Sequence, residues 1–179
     1  MGVDRDDAGV QDLRQGRQAA RALVDQSAGR SPPGRTAAPQ PDLILFALAT
    51  GLRQGNIKRL TWDRVDLPRR IITVEHGETK NGDALGVPLN DLAVSVLQRR
   101  TGEQSSHVST YRGKPINQVN TKAWKDALKR AGITNFRWHD LRHTWASWLR
   151  QNDVPTWGLQ KLGGWKSEVM VRRYAHMSV

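Results

Sequence analysis

The chain has 179 residues, enough for one domain with a hydrophobic core, and carries 28 Lys and Arg against 17 Asp and Glu, a net charge of +11. The absence of Cys excludes disulfides and thiolate metal sites and indicates a reducing, cytoplasmic setting. No run approaches the ~18 consecutive apolar residues of a membrane-spanning helix, and the start of the chain, with Asp4, Asp6 and Asp7, lacks the apolar segment of a signal peptide.

The positive charge is concentrated toward the C-terminal end of the sequence. Residues 1–40 hold six basic and five acidic residues, whereas residues 112–179 hold thirteen Lys and Arg against four Asp and Glu. A basic field in one part of a chain favours a polyanionic partner, most simply nucleic acid. Composition leaves open the alternative of a soluble protein that is basic without such a partner.

The first 41 residues differ in character from the rest. Apolar residues at steps of three and four predict a weakly amphipathic helix over residues 10–24. The Gly- and Pro-rich stretch 27–41 is typical of a linker or irregular loop. We therefore expect an N-terminal helix and linker over residues 1–41 and a compact domain over residues 42–179.

The compact domain is predicted to begin with two helices. The apolar run Asp42–Thr50 is rich in Leu and Ala and is followed by Gly51, which favours a buried helix. A short second helix should carry Ile57 and Leu60, with Trp62 packing just beyond it.

A small sheet is predicted to follow these helices. The stretch Ile71–Val74 is β-branched throughout, and Asn81-Gly82 is a hairpin signal before a second strand over residues 84–89. We expect an antiparallel sheet of two or three strands.

The remainder of the chain is predicted to be mostly helical, which makes the fold class α+β. The expected helices are one capped by Asn90 or Asp91, one over 117–131, one over 139–151, one beginning near Pro155 and ended by Gly163-Gly164, and one capped by Ser167 that reaches Tyr174.

Three short segments, far apart in the chain, carry residues suited to a phosphodiester: Thr50-Gly51-Leu52-Arg53, Phe136–Thr144, and Gly164–Ser167 with Arg172–His176. The guanidinium groups of Arg53 and Arg142 can hold the non-bridging oxygens of a phosphate bidentately. His139 lies three residues before Arg142, on the same side of a helical turn, so both can reach one phosphate. Without the other segments, Arg53 is equally well explained as a surface cation at the end of a helix, and Arg142 as one partner of an ordinary ion pair.

Tyr174 is the candidate nucleophile. A free phenol has a pKa near 10, so ionising it at pH 7 costs about 4 kcal/mol. Nearby basic groups offset part of this cost, and a base can take the proton during attack. A buried aromatic at the end of a helix is the alternative role.

In this order, and with a Tyr nine residues after the Trp, these segments resemble the catalytic segments of the tyrosine recombinases, the phage-integrase family of DNA strand-transfer enzymes. The resemblance adds a fourth segment, the Thr79-Lys80-Asn81-Gly82 hairpin, at the place of the family's catalytic lysine. The resemblance runs from about Asp42 to Met177. It implies a mostly helical catalytic domain that contacts double-stranded DNA and recombines it at specific sites through a 3′-phosphotyrosyl intermediate. It implies no cofactor and no metal ion. The implied catalytic residues are Tyr174, Arg53, Arg142, His139, Lys80 and Trp165.

The resemblance also implies roles for these residues. Lys80 is the general acid for the departing 5′ oxygen, although without the resemblance it is a solvated turn residue. His139 exchanges a proton with Tyr174 or stabilises the transition state, and we expect His143 to pack or bond within its helix. Trp165 stands where most members carry a second His; its indole N–H can donate to a phosphate oxygen but cannot transfer a proton, and pure packing is compatible with this role.

The sequence departs from the family pattern in two respects. Asn56 replaces the acidic residue that many members carry three positions after the first Arg; His176, by contrast, fits the family pattern and is expected only to support the site. Residues 1–41 are too few to form the DNA-clasping domain of complete recombinases. Family members act as tetramers on DNA, but with five residues after Tyr174 we expect a monomer in isolation. A DNA-binding module without turnover, or topoisomerase-like nicking and closing, are the alternative functions.

Overall fold

The computed structural model describes residue 18 and residues 40–77, 82–102, 105–119 and 121–177. The helix expected over 10–24 lies outside the described residues except at Gln18, which is helical. The expected linker over 27–41 overlaps the first helix at its last two positions, and its remainder is not among the described residues. Lys80, at the expected hairpin tip, also lies outside them.

The described chain folds into six α-helices, two small sheets and three 3-10 turns. The helices are α1 Gln40–Thr50, α2 Gln54–Arg59, α3 Asp91–Arg100, α4 Lys122–Arg130, α5 Asp140–Gln151 and α6 Thr156–Gly163. The strands are β1 Val65–Asp66, β2 Ile71–Val74, β3 Leu85–Pro88, β4 Thr110–Tyr111 and β5 Lys114–Pro115. The 3-10 turns are Trp62–Arg64, Glu168–Met170 and Arg172–Met177. The predicted α+β class, mostly helical with a small antiparallel sheet, is confirmed.

Helix α1 forms the centre of the core, as its apolar sequence predicts. Almost all of its side chains from Leu43 onward are buried, and it packs against both α3 and α5. The helix ends at Gly51, whose backbone is left-handed with φ of +65°. A Cβ at this position would lie 2.3 Å from the ring of Trp145 on α5, so only Gly allows the two elements to approach this closely.

The expected sheet is present and has three strands in the order β1-β2-β3, all antiparallel. Ile72 of β2 lies opposite Val65 on one side and Val87 on the other. Side chains along β2 alternate between exposed and buried, so Ile72 and Val74 point into the core. A second, two-stranded sheet of β4 and β5 was not expected from the sequence.

The helices after the sheet begin at polar caps. The Asn90 side chain accepts a hydrogen bond from the backbone N–H of Ala93 at 2.9 Å, which confirms the predicted cap of α3. The helix expected over 117–131 is wrong at its start, because α4 begins only at Lys122. The Thr121 hydroxyl caps it by accepting from the N–H of Trp124. Val119 is buried, but in the segment that leads from β5 to the cap.

The C-terminal elements agree with the prediction except for the last. Pro155 precedes α6, and Gly164 ends it in a left-handed conformation. The segment from Ser167 to Tyr174 is not an α-helix: it forms two 3-10 turns, and the Ser167 side chain makes no capping bond. The period of three in a 3-10 helix places Val171 and Tyr174 on the same side, where both are buried.

None of the described helices is both long enough and apolar enough to cross a membrane.

Candidate active site

Five of the six sequence-predicted site residues line one cavity of about 220 Å³. They come from four places in the chain: the start of α2, the helix α5, the loop after α6 and the last 3-10 turn. The cavity is lined by Arg53, His139, Arg142, His143, Trp165, Met170, Arg173 and Tyr174. The sixth predicted residue, Lys80, lies outside the described residues.

Arg142 is buried at the back of this cavity and held by uncharged partners. It donates to the carbonyl oxygen of Gly51 at 2.5 Å and to that of Gly163, and only 5% of the residue is exposed. Its guanidinium lies 4.2 Å from the ring centroid of Trp165. Burial, and then repulsion by Arg53, lower the pKa of Arg142 to about 9, so it remains charged at neutral pH.

The aromatic rings that pack against Arg142 depend on a second close contact at a glycine, Gly163. The rings of Trp165 and Trp145 stack with centroids 6.1 Å apart, and a Cβ on Gly163 would lie 1.8 Å from Trp165. Gly163 therefore lets Trp165 fold back against the end of α6 while its carbonyl oxygen accepts from Arg142. For Trp165 the packing role is visible in these contacts.

Arg53 is placed by the turn at Gly51. It is the residue before α2, in extended conformation, and its half-buried side chain lines the cavity beside Arg142. Burial lowers the pKa of Arg53. Two guanidinium groups thus face one small space, and the cavity lining includes no carboxylate among the described residues.

Tyr174 is almost fully buried, and its side chain forms part of the cavity wall. Only 3% of the residue is exposed, and its ring packs against Trp165 with centroids 6.0 Å apart. Its hydroxyl forms a hydrogen bond with Nδ1 of His143, at the wall of the cavity. The ring therefore packs in the apolar cluster of α5 and α6, and the phenol lies close enough to Arg142 for its charge to oppose the effect of burial, which lowers the pKa of that arginine.

The two histidines of α5 are arranged differently from the prediction. The expectation that His143 packs or bonds within its helix is incomplete, because its ring packs against His139 but also lies against Tyr174 and bonds the hydroxyl. His139 lines the cavity, and its ring meets His143 edge-on at 4.9 Å. The sequence could have predicted that both histidines lie at the cavity, since residues four positions apart share one face of a helix.

Both histidines are held neutral at pH 7 by their surroundings. Partial burial, followed by the charge of Arg142, lowers the pKa of His139, although Asp140 opposes this. Burial, followed by His139, lowers the pKa of His143 to about 4. Asp140 itself is buried and accepts from the backbone and side chain of Arg137.

Arg173 is a cavity residue that the sequence reasoning missed. Its exposed side chain lines the cavity as a third guanidinium, and its charge contributes to the lowered pKa of His143. The signal for it was its position directly before Tyr174 in a basic stretch. Asn56, which departs from the family pattern, is buried in α2 and is not part of the cavity lining.

The family model of the phage integrase family matches residues 18–179 of this chain. The chain belongs to the phage integrase family. As an integrase-family protein it is 44% identical to the integrase of Salmonella phage P22 over 153 residues, which cover 78% of this chain and 40% of that protein. It is 31% identical to a shufflon-specific DNA recombinase of Escherichia coli, over 74% of this chain and 33% of the recombinase. The chain therefore spans less than half the length of these relatives.

Solved structures of integrases have the same fold as this family member. The Tn1549 transposon integrase, in complex with a circular intermediate DNA, matches 86% of this chain and 58% of its own, with a TM-score of 0.74 and 18% identity. The catalytic domain of bacteriophage HP1 integrase matches 90% of this chain and 85% of its own, with a TM-score of 0.64 and 24% identity. At these identities the likeness shows the fold alone.

Proposed function

We propose that residues 42–179 form the catalytic domain of a site-specific DNA recombinase that cuts and rejoins strands through a tyrosine-linked intermediate. The observation that carries the proposal is that Tyr174, Arg53 and Arg142 line one cavity. Family membership and the relatives named as integrase and recombinase support the same reading.

The cavity suits a phosphodiester in charge and in shape. Three guanidinium groups line it, and an arginine fork matches two phosphate oxygens. Arg142 is pre-positioned by carbonyl oxygens that hold its orientation without cancelling its charge. Charge that develops on the phosphorus oxygens during transfer therefore meets cations already in place.

The proposed reaction is an exchange of one phosphoester for another. The Tyr174 phenol gives its proton to a neighbouring base and its oxygen bonds to phosphorus, the bond from phosphorus to the 5′ oxygen breaks, and the leaving oxygen takes a proton from Lys80. The products are a 3′-phosphotyrosyl link and a free 5′-hydroxyl. The 5′-hydroxyl of a partner strand then attacks the link, which restores the phosphodiester and returns Tyr174 as a phenol. His139 and Trp165 are proposed to stabilise the transition state.

A second basic surface is proposed to contact the duplex outside the cavity. Helix α4 buries Trp124 and Leu128 and leaves Lys122, Lys125 and Lys129 exposed. A groove of about 680 Å³ between its first turn and the β4–β5 hairpin is also lined by Arg112 and Lys114. We propose that this surface holds DNA phosphates, with a tetramer of copies assembling only on DNA, in the cytoplasm.

The proposal is tested with a pool of nicked duplexes of randomised sequence. Cleavage close to a nick releases a short oligonucleotide that diffuses away, so the covalent protein–DNA adduct accumulates and can be recovered and sequenced. Tyr174→Phe should abolish the adduct. Tyr111→Phe, at the other tyrosine of the chain, removes a hydroxyl from the proposed DNA-binding groove, so it should weaken binding at most and the adduct should still form.

The same experiment separates the alternatives. Salt-sensitive binding of the pool without any adduct would indicate a DNA-binding module that lacks turnover. Relaxation of a supercoiled plasmid with no transfer between duplexes would indicate topoisomerase-like nicking and closing.

A further inference from the structure

We infer that His143 is the general base of this site and accepts the proton of the Tyr174 hydroxyl as the phenol attacks phosphorus. The inference rests on the proposed function and moves to His143 a task that the sequence had favoured for His139. The geometry that supports it is direct: Nδ1 of His143 is hydrogen-bonded to the Tyr174 hydroxyl, whereas the His139 ring contacts the ring of His143.

The chemistry of the cavity wall gives the direction of this hydrogen bond. The guanidinium groups of Arg53, Arg142 and Arg173 are donors only, and so is the indole N–H of Trp165. A phenol among such groups directs its proton to an acceptor, and a neutral imidazole has one nitrogen with a free lone pair. We therefore assign the proton of His143 to Nε2, which leaves Nδ1 to accept from Tyr174.

The charges around His143 keep this lone pair available. The groups that act on it are His139, Asp140 and Arg142 from its own helix and Arg173 from the last 3-10 turn. Burial and the nearby His139 lower the pKa of His143 to about 4 in the absence of DNA, with Asp140 opposing. An anionic phosphodiester in the cavity raises the pKa toward the working pH, where a proton acceptor is most effective.

The step balances without a co-reactant. As the Tyr174 oxygen bonds to phosphorus, its proton moves to Nδ1 of His143, and the 5′ oxygen leaves with a proton from Lys80. In the return step the 5′-hydroxyl of the partner strand gives its proton to the neutral Lys80 amine as it attacks, which restores the Lys80 ammonium. The phenolate of Tyr174 then leaves and takes back the proton held by the His143 imidazolium.

The first test compares His143→Asn with the unchanged chain on the nicked duplex pool. Asn can still accept a hydrogen bond from Tyr174 but does not hold a proton, so a merely structural role is preserved and a base role is lost. We expect adduct formation at pH 7 to slow by roughly 10²- to 10⁴-fold. Its rate should then rise with pH toward the pKa of the phenol. His107→Asn, at a histidine bonded to Ser106 outside the cavity, should behave like the unchanged chain.

A second substrate separates the base from the acid. With sulfur in place of the 5′ oxygen, the leaving thiolate needs no proton, since thiols have a pKa of about 8.5. This substrate should restore cleavage by Lys80→Ala and should not restore it for His143→Asn. Rescue of His143→Asn, or a rate and pH profile equal to those of the unchanged chain, would overturn the inference.

A third measurement needs no DNA. Nitrogen NMR of the free chain at pH 7 should show the His143 proton on Nε2, with an Nδ1 signal that changes in Tyr174→Phe. A proton on Nδ1 would mean that His143 donates to the phenol, and the inference would be wrong. If the unchanged chain forms no adduct at all, the proposed function fails first, and with it the role of His143.

Discussion

The guanidinium of Arg142 lies over the indole ring of Trp165, 4.2 Å from its centroid, and donates to the carbonyl oxygen of Gly163 two residues earlier in the chain. One residue of α5 thereby fixes the loop after α6, the segment that leads on to Tyr174. The indole supports the cation without neutralising it, which a carboxylate in the same place would not do.

This relationship predicts how Trp165 responds to substitution. Trp165→Phe keeps an aromatic face under Arg142, so we expect adduct formation to fall less than about tenfold and unfolding free energy to fall by about 1 kcal/mol. Trp165→Ala removes the face and should cost about 2–4 kcal/mol, because the residue is only half-buried. Urea unfolding and adduct yield check both. Equal activity losses in the two variants would assign an essential role to the indole N–H.

Arg142→Ala should separate chemistry from binding. We expect adduct formation to fall by roughly 10³-fold, since a pre-positioned cation at the phosphate is lost, while DNA affinity falls only a few-fold because the α4 lysines remain. Gel-shift and adduct assays measure the two quantities. Arg69→Ala, at a highly exposed arginine, is the control. Parallel losses of affinity and cleavage would reduce Arg142 to a contact residue.

Gly51→Ala should damage the protein far more than a matched Gly substitution. Its Cβ would overlap the Trp145 ring at a left-handed backbone position, so we expect a loss of about 3 kcal/mol or more of unfolding free energy. Gly113→Ala has a similar φ of +74° but open space around it, and should cost only about 1 kcal/mol. Urea unfolding of both variants tests the difference, and equal costs would contradict it.

Stability should depend on pH through His143. Its pKa is lowered on folding from its ordinary value to about 4, so below pH 6.5 the unfolded chain binds more protons than the folded one. The stabilisation is present in full above pH 6.5 and is lost as the pH falls toward 4. We expect about 1–2 kcal/mol, less than the full shift implies, since the cavity is open to solvent.

Urea unfolding at pH 7 and at pH 4.5 measures this dependence. His143→Asn should reduce it while His107→Asn should not. An unchanged pH dependence in His143→Asn would show that other groups are responsible.

The α4 surface should contribute to DNA affinity through salt-dependent contacts. Replacing Lys125 and Lys129 together by Ala should weaken binding to all sequences alike and reduce the slope of log affinity against log salt by about 2, close to 0.9 per lost phosphate contact. Lys161→Ala, at a lysine that lies over the ring of Trp157, is the control. An unchanged slope would place DNA elsewhere on the domain.

Much of the fold is encoded in local patterns. The apolar run of α1, the β-branched residues of β2 and the Asn90 cap each act over a few residues, so the sequence is sufficient to predict them. The predicted start of α4 was wrong because the apolar spacing extends back to Val119. The Thr121 cap determines where the helix begins. The last helix was mistaken because packing of Val171 and Tyr174 favours a period of three.

The sequence predicted most of the residues of the site but not the contacts that they make with one another. The Gly51 turn, the His139 to Arg142 spacing and the position of Tyr174 are visible as sequence segments. Which histidine meets the phenol depends on how the last turn docks on α5, a tertiary contact between residues 31 positions apart. The same docking brings Arg173 to the cavity, for which the sequence signal was only its position beside Tyr174 in a basic stretch.

The crowding of three guanidinium groups around one cavity has a cost in the resting protein. Like charges held close together repel, and this repulsion lowers the stability of the folded protein. If stability were the only requirement, neutral side chains would replace these arginines, because they would raise the unfolding free energy of the domain. An anion that binds in the cavity neutralises this repulsion, so the removal of the repulsion contributes to the free energy of anion binding.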